Sequence, residues 1–199
     1  MDLLGLRSHA VIAGLVVAAF ATVGKAATIE ERARLCAECH GQAGVPQKEM
    51  ITPIIWGQTE GYLYLQLRDY KRGDRKDDVM TPLAEQFERD EMIALAEYFS
   101  KKPWPHNSQP PARETSAFKA AKASASVGCT GCHQEKYKGA GTQPRLAGQI
   151  MAYLAKTMIA FRNGSRANNP GMTTLMKAIS EDEIAVLSEY LAGFELPPQ

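Results

Sequence analysis

The 199-residue sequence has little of what marks most specialised protein classes. It has no excess of either charge, with 23 Lys+Arg against 22 Asp+Glu, so the bulk attraction that draws a protein to nucleic acid is missing. Its main apolar run, Ala10–Val23, is fourteen residues long, short of the roughly 20 that cross a bilayer as a helix. No segment alternates polar and apolar residues as a half-buried strand does, which argues against a β fold. Cysteine and histidine are scarce, four of each, yet all the cysteines and two of the histidines fall into two five-residue clusters. These are Cys36-Ala-Glu-Cys39-His40 and Cys129-Thr-Gly-Cys132-His133. What remains, 45% hydrophobic residues, is enough for one or two small globular cores.

The N-terminus reads as a signal peptide over 1–26. Arg7 precedes the apolar run, and Gly24-Lys25-Ala26 supplies small residues before a cut, so the mature chain is expected to start near Ala27. Export to an oxidising compartment would ordinarily turn four cysteines into a disulfide framework. Here Cys-x-x-Cys followed at once by His, twice, is the pattern of covalent c-type haem attachment. Zinc ribbons instead pair such motifs a couple of dozen residues apart, whereas Cys39 and Cys129 are 90 apart. A dithiol redox pair needs no adjacent histidine.

The chain also repeats itself. Pro53, Gly57, Gln58, Tyr62, Leu63, Gly73 and Arg75 recur 91 residues later as Pro144, Gly148, Gln149, Tyr153, Leu154, Gly164 and Arg166. Beyond one inserted residue, Met80, Thr81, Leu83, Asp90, Glu91, Leu95, Glu97 and Tyr98 recur 92 residues later, from Met172 to Tyr190. Two similar domains are expected, 27–102 and 113–199, joined by an extended linker, 103–112, in which Pro103, Pro105, Pro110 and Pro111 deny backbone donors. Units this small gain from a large apolar cofactor in their cores.

Each unit reads as three to four short helices. Thr28 with Glu31, and Ser180 with Glu183, are capping-box signatures. Met92, Leu95, Ala96 and Phe99, and again Ile184, Leu187, Tyr190 and Leu191, have helical spacing. Tyr62, Leu65 and Asp69-Tyr70, with Tyr153, Leu154, Thr157-Met158 and Phe161, predict a middle helix in each unit.

In a helical turn, residues three apart share a face, so Cys36 and Cys39, or Cys129 and Cys132, can both bond one porphyrin edge while His40 or His133 points at the iron. The sixth ligand must come from elsewhere in the unit. Met80 and Met172 are the repeat-matched candidates, each in a loop segment that can present sulfur freely. Met176 competes with Met172 but matches Ala84 in the other half. Met92, Met151 and Met158 read as core filling on helix stripes. Met50, ten residues beyond His40, has no methionine counterpart. The backbone carbonyls of Pro53 and Pro144, 13 and 11 residues beyond the histidines, are candidate acceptors for the second imidazole nitrogen. His106 reads as a solvated linker residue.

With these motifs, a matched Met in each half and Gly-Gln-x-x-x-Tyr-Leu opening each middle helix, the chain resembles the dihaem class I cytochromes c, and among them the cytochrome c4 family. The resemblance implies an all-α fold of two tandem cytochrome c domains related by a pseudo-twofold axis, and two covalently bound haem c groups. It implies Cys36, Cys39, Cys129 and Cys132 as attachment residues, and His40, Met80, His133 and Met172 as axial ligands. It further implies a periplasmic electron carrier, not an enzyme, whose partners are redox proteins: a dehydrogenase or a membrane-bound oxidase or reductase, with room for peripheral membrane association. Ile54-Ile55-Trp56 before Gly57, Gln134-Glu135-Lys136 after His133 and the long linker depart from the family pattern. Related dihaem chains also serve as subunits of flavin- or molybdenum-type dehydrogenases, and that alternative stays open. A dihaem peroxidase-like enzyme would want a displaceable ligand, which two His/Met pairs do not leave. Residues 27–106 hold 11 basic and 14 acidic side chains, and 107–199 hold 10 and 7, an asymmetry suited to orienting a salt-sensitive encounter.

Overall fold

The computed structural model describes residues 27–47, 51–106 and 108–196. The expected signal peptide and Met50 lie outside the described residues. The first half consists of α1 (Ile29–His40), α2 (Glu60–Arg72), α3 (Met80–Glu85) and α4 (Arg89–Ser100). The second consists of α5 (Glu114–Val127), α6 (Cys129–His133), α7 (Met151–Asn163), α8 (Pro170–Lys177) and α9 (Glu181–Ala192). The described residues form no strand, only an isolated bridge between Ala140 and Gln143, and no helix among them is long and apolar enough to cross a membrane.

The caps explain where the helices begin. Thr28 and Glu31 exchange hydrogen bonds at the start of α1, and Ser180 and Glu183 do the same for α9. A third device of this kind, Glu91 accepting from the Glu88 N–H at 2.8 Å, opens α4. Where the second half carries one helix more than expected, the cause is Gly128. At φ 68°, ψ 38° it turns left-handed and ends α5 just before Cys129; Leu35, in the same place before Cys36, lets α1 run on through its motif.

Each half has its own core. In the first, Leu63, Phe87, Met92, Leu95, Ala96 and Phe99 close α2 and α4 over α1, and an Arg32–Glu91 ion pair ties α1 to α4. In the second, Leu154, Met158, Phe161, Ile184, Leu187 and Leu191 join α7 and α9, with Ala120 and Ala123 of α5 packed beneath. Met92 and Met158 are core residues as expected. Met151 is not: it opens α7 and is 48% exposed, because the first residue of a helix has no preceding turn to pack against.

The halves meet through a reciprocal clasp. The Gln58 side chain donates from Nε2 to the Arg145 carbonyl at 3.0 Å and accepts the Arg145 N–H at 2.7 Å. Gln149 donates to the Ile54 carbonyl at 3.0 Å and accepts the Ile54 N–H at 2.8 Å. Gln58 and Gln149 occupy matched places in the repeat, as do Ile54 and Arg145, so the contact has the form of a twofold interface. All four residues are buried, and the glutamines satisfy backbone groups that would otherwise be orphaned at the seam.

The linker is extended but is not a free spacer. Trp104 lies against both Gly57 and Gly148, where a Cβ would come within 2.9 Å of its backbone nitrogen and 3.0 Å of its indole nitrogen respectively. The Arg145 guanidinium stacks on its ring at 4.1 Å. Gln109 donates to the Gln149 and Ala192 carbonyls and accepts from Met151 N–H at 2.8 Å. Prolines remove donors from this segment, and the side chains between them supply the attachments instead.

Candidate functional site

His40 ends α1 and His133 ends α6, both buried, at 7% and 5% exposure. The Nδ1 of His40 is 2.8 Å from the Pro53 carbonyl, and that of His133 is 2.9 Å from the Pro144 carbonyl. The acceptors expected from sequence are therefore in place. A carbonyl can only accept, so Nδ1 carries the proton and Nε2 presents its lone pair. Burial lowers the pKa of both imidazoles, and the carbonyl bonds offset part of that effect, so the rings are held neutral. The Nε2 of His133 is buried with no hydrogen-bond partner. An oriented neutral imidazole with a buried free lone pair is what a metal ligand requires.

The four cysteines form no disulfide. Cys36 packs against the first core and Cys129 against the second; burial pushes the Cys36 thiol up to about 11 and raises that of Cys129. The described residues bring together no group of three or more His, Cys, Asp or Glu side chains able to hold a metal ion, so a zinc site shared between the motifs is not assembled.

Met80 and Met172 are both half-buried, but neither sits in a loop: each lies in the first turn of a short helix, α3 or α8. The cause is an Asx cap three residues upstream. Asp77 Oδ1 accepts the Met80 N–H at 3.1 Å, Asn169 Oδ1 accepts the Met172 N–H at 3.0 Å, and the two caps are themselves repeat-matched. The competitor Met176 is 2% exposed inside the second core, and its counterpart Ala84 is fully buried. His106 is exposed, 3.8 Å from Glu195.

A polar network at the seam was not anticipated from the sequence. Arg75 donates to the Tyr153 hydroxyl at 3.1 Å, and Arg166 to the Tyr62 hydroxyl at 3.3 Å, each reaching into the opposite half. Gln66 Oε1 accepts from both, at 2.7 Å from Arg75 and 2.8 Å from Arg166. Each guanidinium also lies over an aromatic ring of its own half, Arg75 over Tyr70 at 4.6 Å and Arg166 over Phe161 at 4.4 Å. Burial raises the Tyr62 hydroxyl pKa. For Tyr153 burial acts the same way, but the charges of Arg75 and Arg166 outweigh it and pull the hydroxyl down to about 7. The signal was present, since Tyr62, Arg75, Tyr153 and Arg166 all recur in the repeat, but their crossing between halves is a tertiary fact.

The pattern of the cytochrome c family matches residues 118–194. Most of the chain is similar to cytochrome c4 of Pseudomonas aeruginosa, with 33% identity over 85% of this chain and 89% of that protein. It is also similar to the thiosulfate dehydrogenase electron acceptor of Stutzerimonas stutzeri, with 31% identity over 81% of this chain and 79% of that one. Among solved structures it resembles reduced recombinant cytochrome c4 from Pseudomonas stutzeri, with a TM-score of 0.73, 29% identity and 84% of this chain against 97% of that one.

Proposed function

The chain belongs to the cytochrome c4 family of dihaem cytochromes c, and on that premise we propose that it is a mobile periplasmic carrier, exported by residues 1–26 and passing electrons between redox proteins. It binds two haem c groups covalently and serves electron transfer. When bound, each haem iron takes up and gives back one electron. Cys36 and Cys39 hold the first haem and Cys129 and Cys132 the second. His40 and Met80 ligate one iron, His133 and Met172 the other.

The observation that carries this reading is the paired arrangement around the histidines. The Pro53 and Pro144 carbonyls fix each ring, the tautomer leaves Nε2 free, and that of His133 is buried without another partner. Asp77 and Asn169 bond the backbone of the two methionines, so each half presents a half-buried methionine from a segment separate from the haem motif. With a histidine nitrogen and a methionine sulfur available to hold each iron, no ligand position would be left for a substrate, and the chain would transfer electrons without its own catalysis.

A second reading, a haem subunit stably bound to a dehydrogenase, is favoured by a relative that matches part of the chain and is named as the cytochrome subunit of sulfide dehydrogenase. Gel filtration of natively purified protein at low and high salt separates the two. Elution alone as a small dihaem species supports the carrier. Salt-resistant co-elution with a flavin or molybdenum chain makes it a subunit.

A further inference from the structure

Where each half would hold its iron, the repeat keeps its backbone bonds and changes its charge. Pro53 and Pro144 each offer a carbonyl to a histidine, and the next residue, Ile54 or Arg145, is buried with its N–H held by a matched glutamine. One of these side chains is apolar and the other a cation. Among the described residues the Arg145 side chain meets the Ala147 carbonyl at 3.0 Å and the face of Trp104 at 4.1 Å, and no carboxylate pairs with it. The methionine caps differ in the same sense. Asp77 Oδ1 and Asn169 Oδ1 accept the Met80 and Met172 N–H groups at 3.1 and 3.0 Å, so an anion in one half and a neutral amide in the other make the same bond. Lys156, 4.0 Å from Asp77 Oδ2, is 60% exposed and offsets little of that charge. Lys76 and Asp78, on either side of Asp77, are exposed and opposite in sign.

We propose that Asp77 and Arg145 tune the two irons separately: the Asp77 carboxylate, acting at Met80, disfavours an added electron on the first, and the Arg145 guanidinium, acting at the carbonyl that holds His133, favours one on the second. Both are positioning residues, since each acts through a ligand, and the proposal rests on the dihaem reading above. A cation one residue from the Pro144 carbonyl weakens it as an acceptor for the imidazole N–H, which makes His133 a less electron-rich ligand. Through space the cation acts in the same direction, and its burial leaves little water to screen it. The Asp77 side chain is 33% exposed, so its effect is the smaller. The two exchanges add rather than cancel: Ile54 against Arg145 and Asp77 against Asn169 each make the second half more positive by one unit charge.

The test uses the holoprotein. A wild-type haem-to-protein ratio below two, or no sulfur-to-iron absorption band, would overturn the dihaem reading and this proposal with it, whereas the midpoints bear on the tuning alone. Spectroelectrochemical midpoints at neutral pH are compared for wild type, Asp77→Asn, Asn169→Asp, Arg145→Gln and Arg145→Lys. The wave displaced by Met80→Ala is that of the first haem, and the wave displaced by Met172→Ala that of the second. Asp77→Asn installs the cap that the second half already uses. It is expected to shift the ferrous-to-ferric ratio of the first haem about threefold toward ferrous, a rise of about 28 mV for a one-electron couple. Asn169→Asp is expected to move the second haem by the same factor toward ferric. Arg145→Gln is expected to shift the second haem about tenfold toward ferric, a fall of about 59 mV, while Arg145→Lys keeps the charge and most of the midpoint, which a purely structural role would not predict. Four results would overturn the proposal: midpoints unmoved in Asp77→Asn and Arg145→Gln with two haems retained, shifts of the opposite sign, equal shifts in Arg145→Gln and Arg145→Lys, or shifts that merely scale with stability lost in denaturant unfolding.

Discussion

The two halves fill the same space from opposite sides of one contact. Four residues after its haem-motif histidine the first half has Gly44, and three residues after its proline it has Trp56; the second has Tyr137 and Ala147 at those places. A Cβ on Gly44 would lie 2.7 Å from the Trp56 ring, while the Tyr137 carbonyl accepts the N–H groups of Leu146 and Ala147 at 2.9 and 3.2 Å. An aromatic plug thus comes from the later segment in one half and the earlier segment in the other. Volume at the site is kept, and its polar chemistry is not. The Tyr137 hydroxyl meets Ser124 Oγ at 2.9 Å, whereas the Trp56 indole N–H is buried without a partner. The lesson is that packing volume tolerates exchange across a repeat, while the elements proposed to hold the haem, the histidine with its carbonyl and the methionine with its cap, keep their positions.

The largest departure from this parallel should come from the attachment residues. Replacing Cys36 and Cys39 by Ser, or Cys129 and Cys132, is expected to leave one haem per chain in either case, read by haem-to-protein ratio; loss of both from one pair would show that the halves load cooperatively. Next, Met80→Ala and Met172→Ala should each open one iron to carbon monoxide, and unchanged spectra in either would refute that ligand. Met176→Ala should leave carbon monoxide binding unaltered and instead cost about 2–5 kcal/mol in denaturant unfolding, as a core truncation does.

Smaller effects sharpen the aromatic exchange. Tyr137→Phe strips a partner from buried Ser124 and should cost about 1–3 kcal/mol, while Trp56→Phe removes a donor that bonds nothing and should cost less. The smallest contrast lies between matched glutamates. Glu189 is gripped by Arg113 through three 3.0 Å bonds, two from the guanidinium and one from the backbone N–H, and by Ser116 at 2.8 Å, which holds its carboxyl at about 2, whereas Glu97 has Lys101 alone to lower it. A carboxylate depressed in the folded state stabilises above its unfolded pKa, and that contribution fades as pH falls from about 4.5 toward 2. Glu189→Gln should therefore flatten the acid limb of stability more than Glu97→Gln; equal effects in acid titration of unfolding would contradict the contrast.

Features governed by local spacing were legible in the sequence. The haem motifs, the carbonyl acceptors at Pro53 and Pro144, the capped starts of α1 and α9 and the buried stripes of α4 and α9 follow from neighbours along the chain. The reading of Met80 and Met172 as loop residues missed the Asx caps, because an Asp or Asn three residues ahead weighs less to the eye than the Pro and Gly around it. Gln58, Gln149, Arg75 and Arg166 were visible as repeats but not as partners. Their bonds run between copies of the repeat, at separations of 78 to 104 residues, and only the docked arrangement of the halves brings donors to acceptors. The docking of the extended linker was out of reach for the same reason: proline content describes its backbone, and Trp104 and Gln109 decide where it lies.

The reciprocal glutamine clasp has a consequence for assembly. A self-complementary surface does not distinguish the second half of its own chain from that of another molecule, so the same four hydrogen bonds would close an exchanged dimer as readily as a monomer. What selects the closed monomer is the tether, which keeps the proper half at high effective concentration and, through Trp104 wedged against Gly57 and Gly148, already aligned. Shortening that segment, or freeing it from its docking site, would turn a device for holding two redox centres in register into a means of joining molecules into larger chains of them.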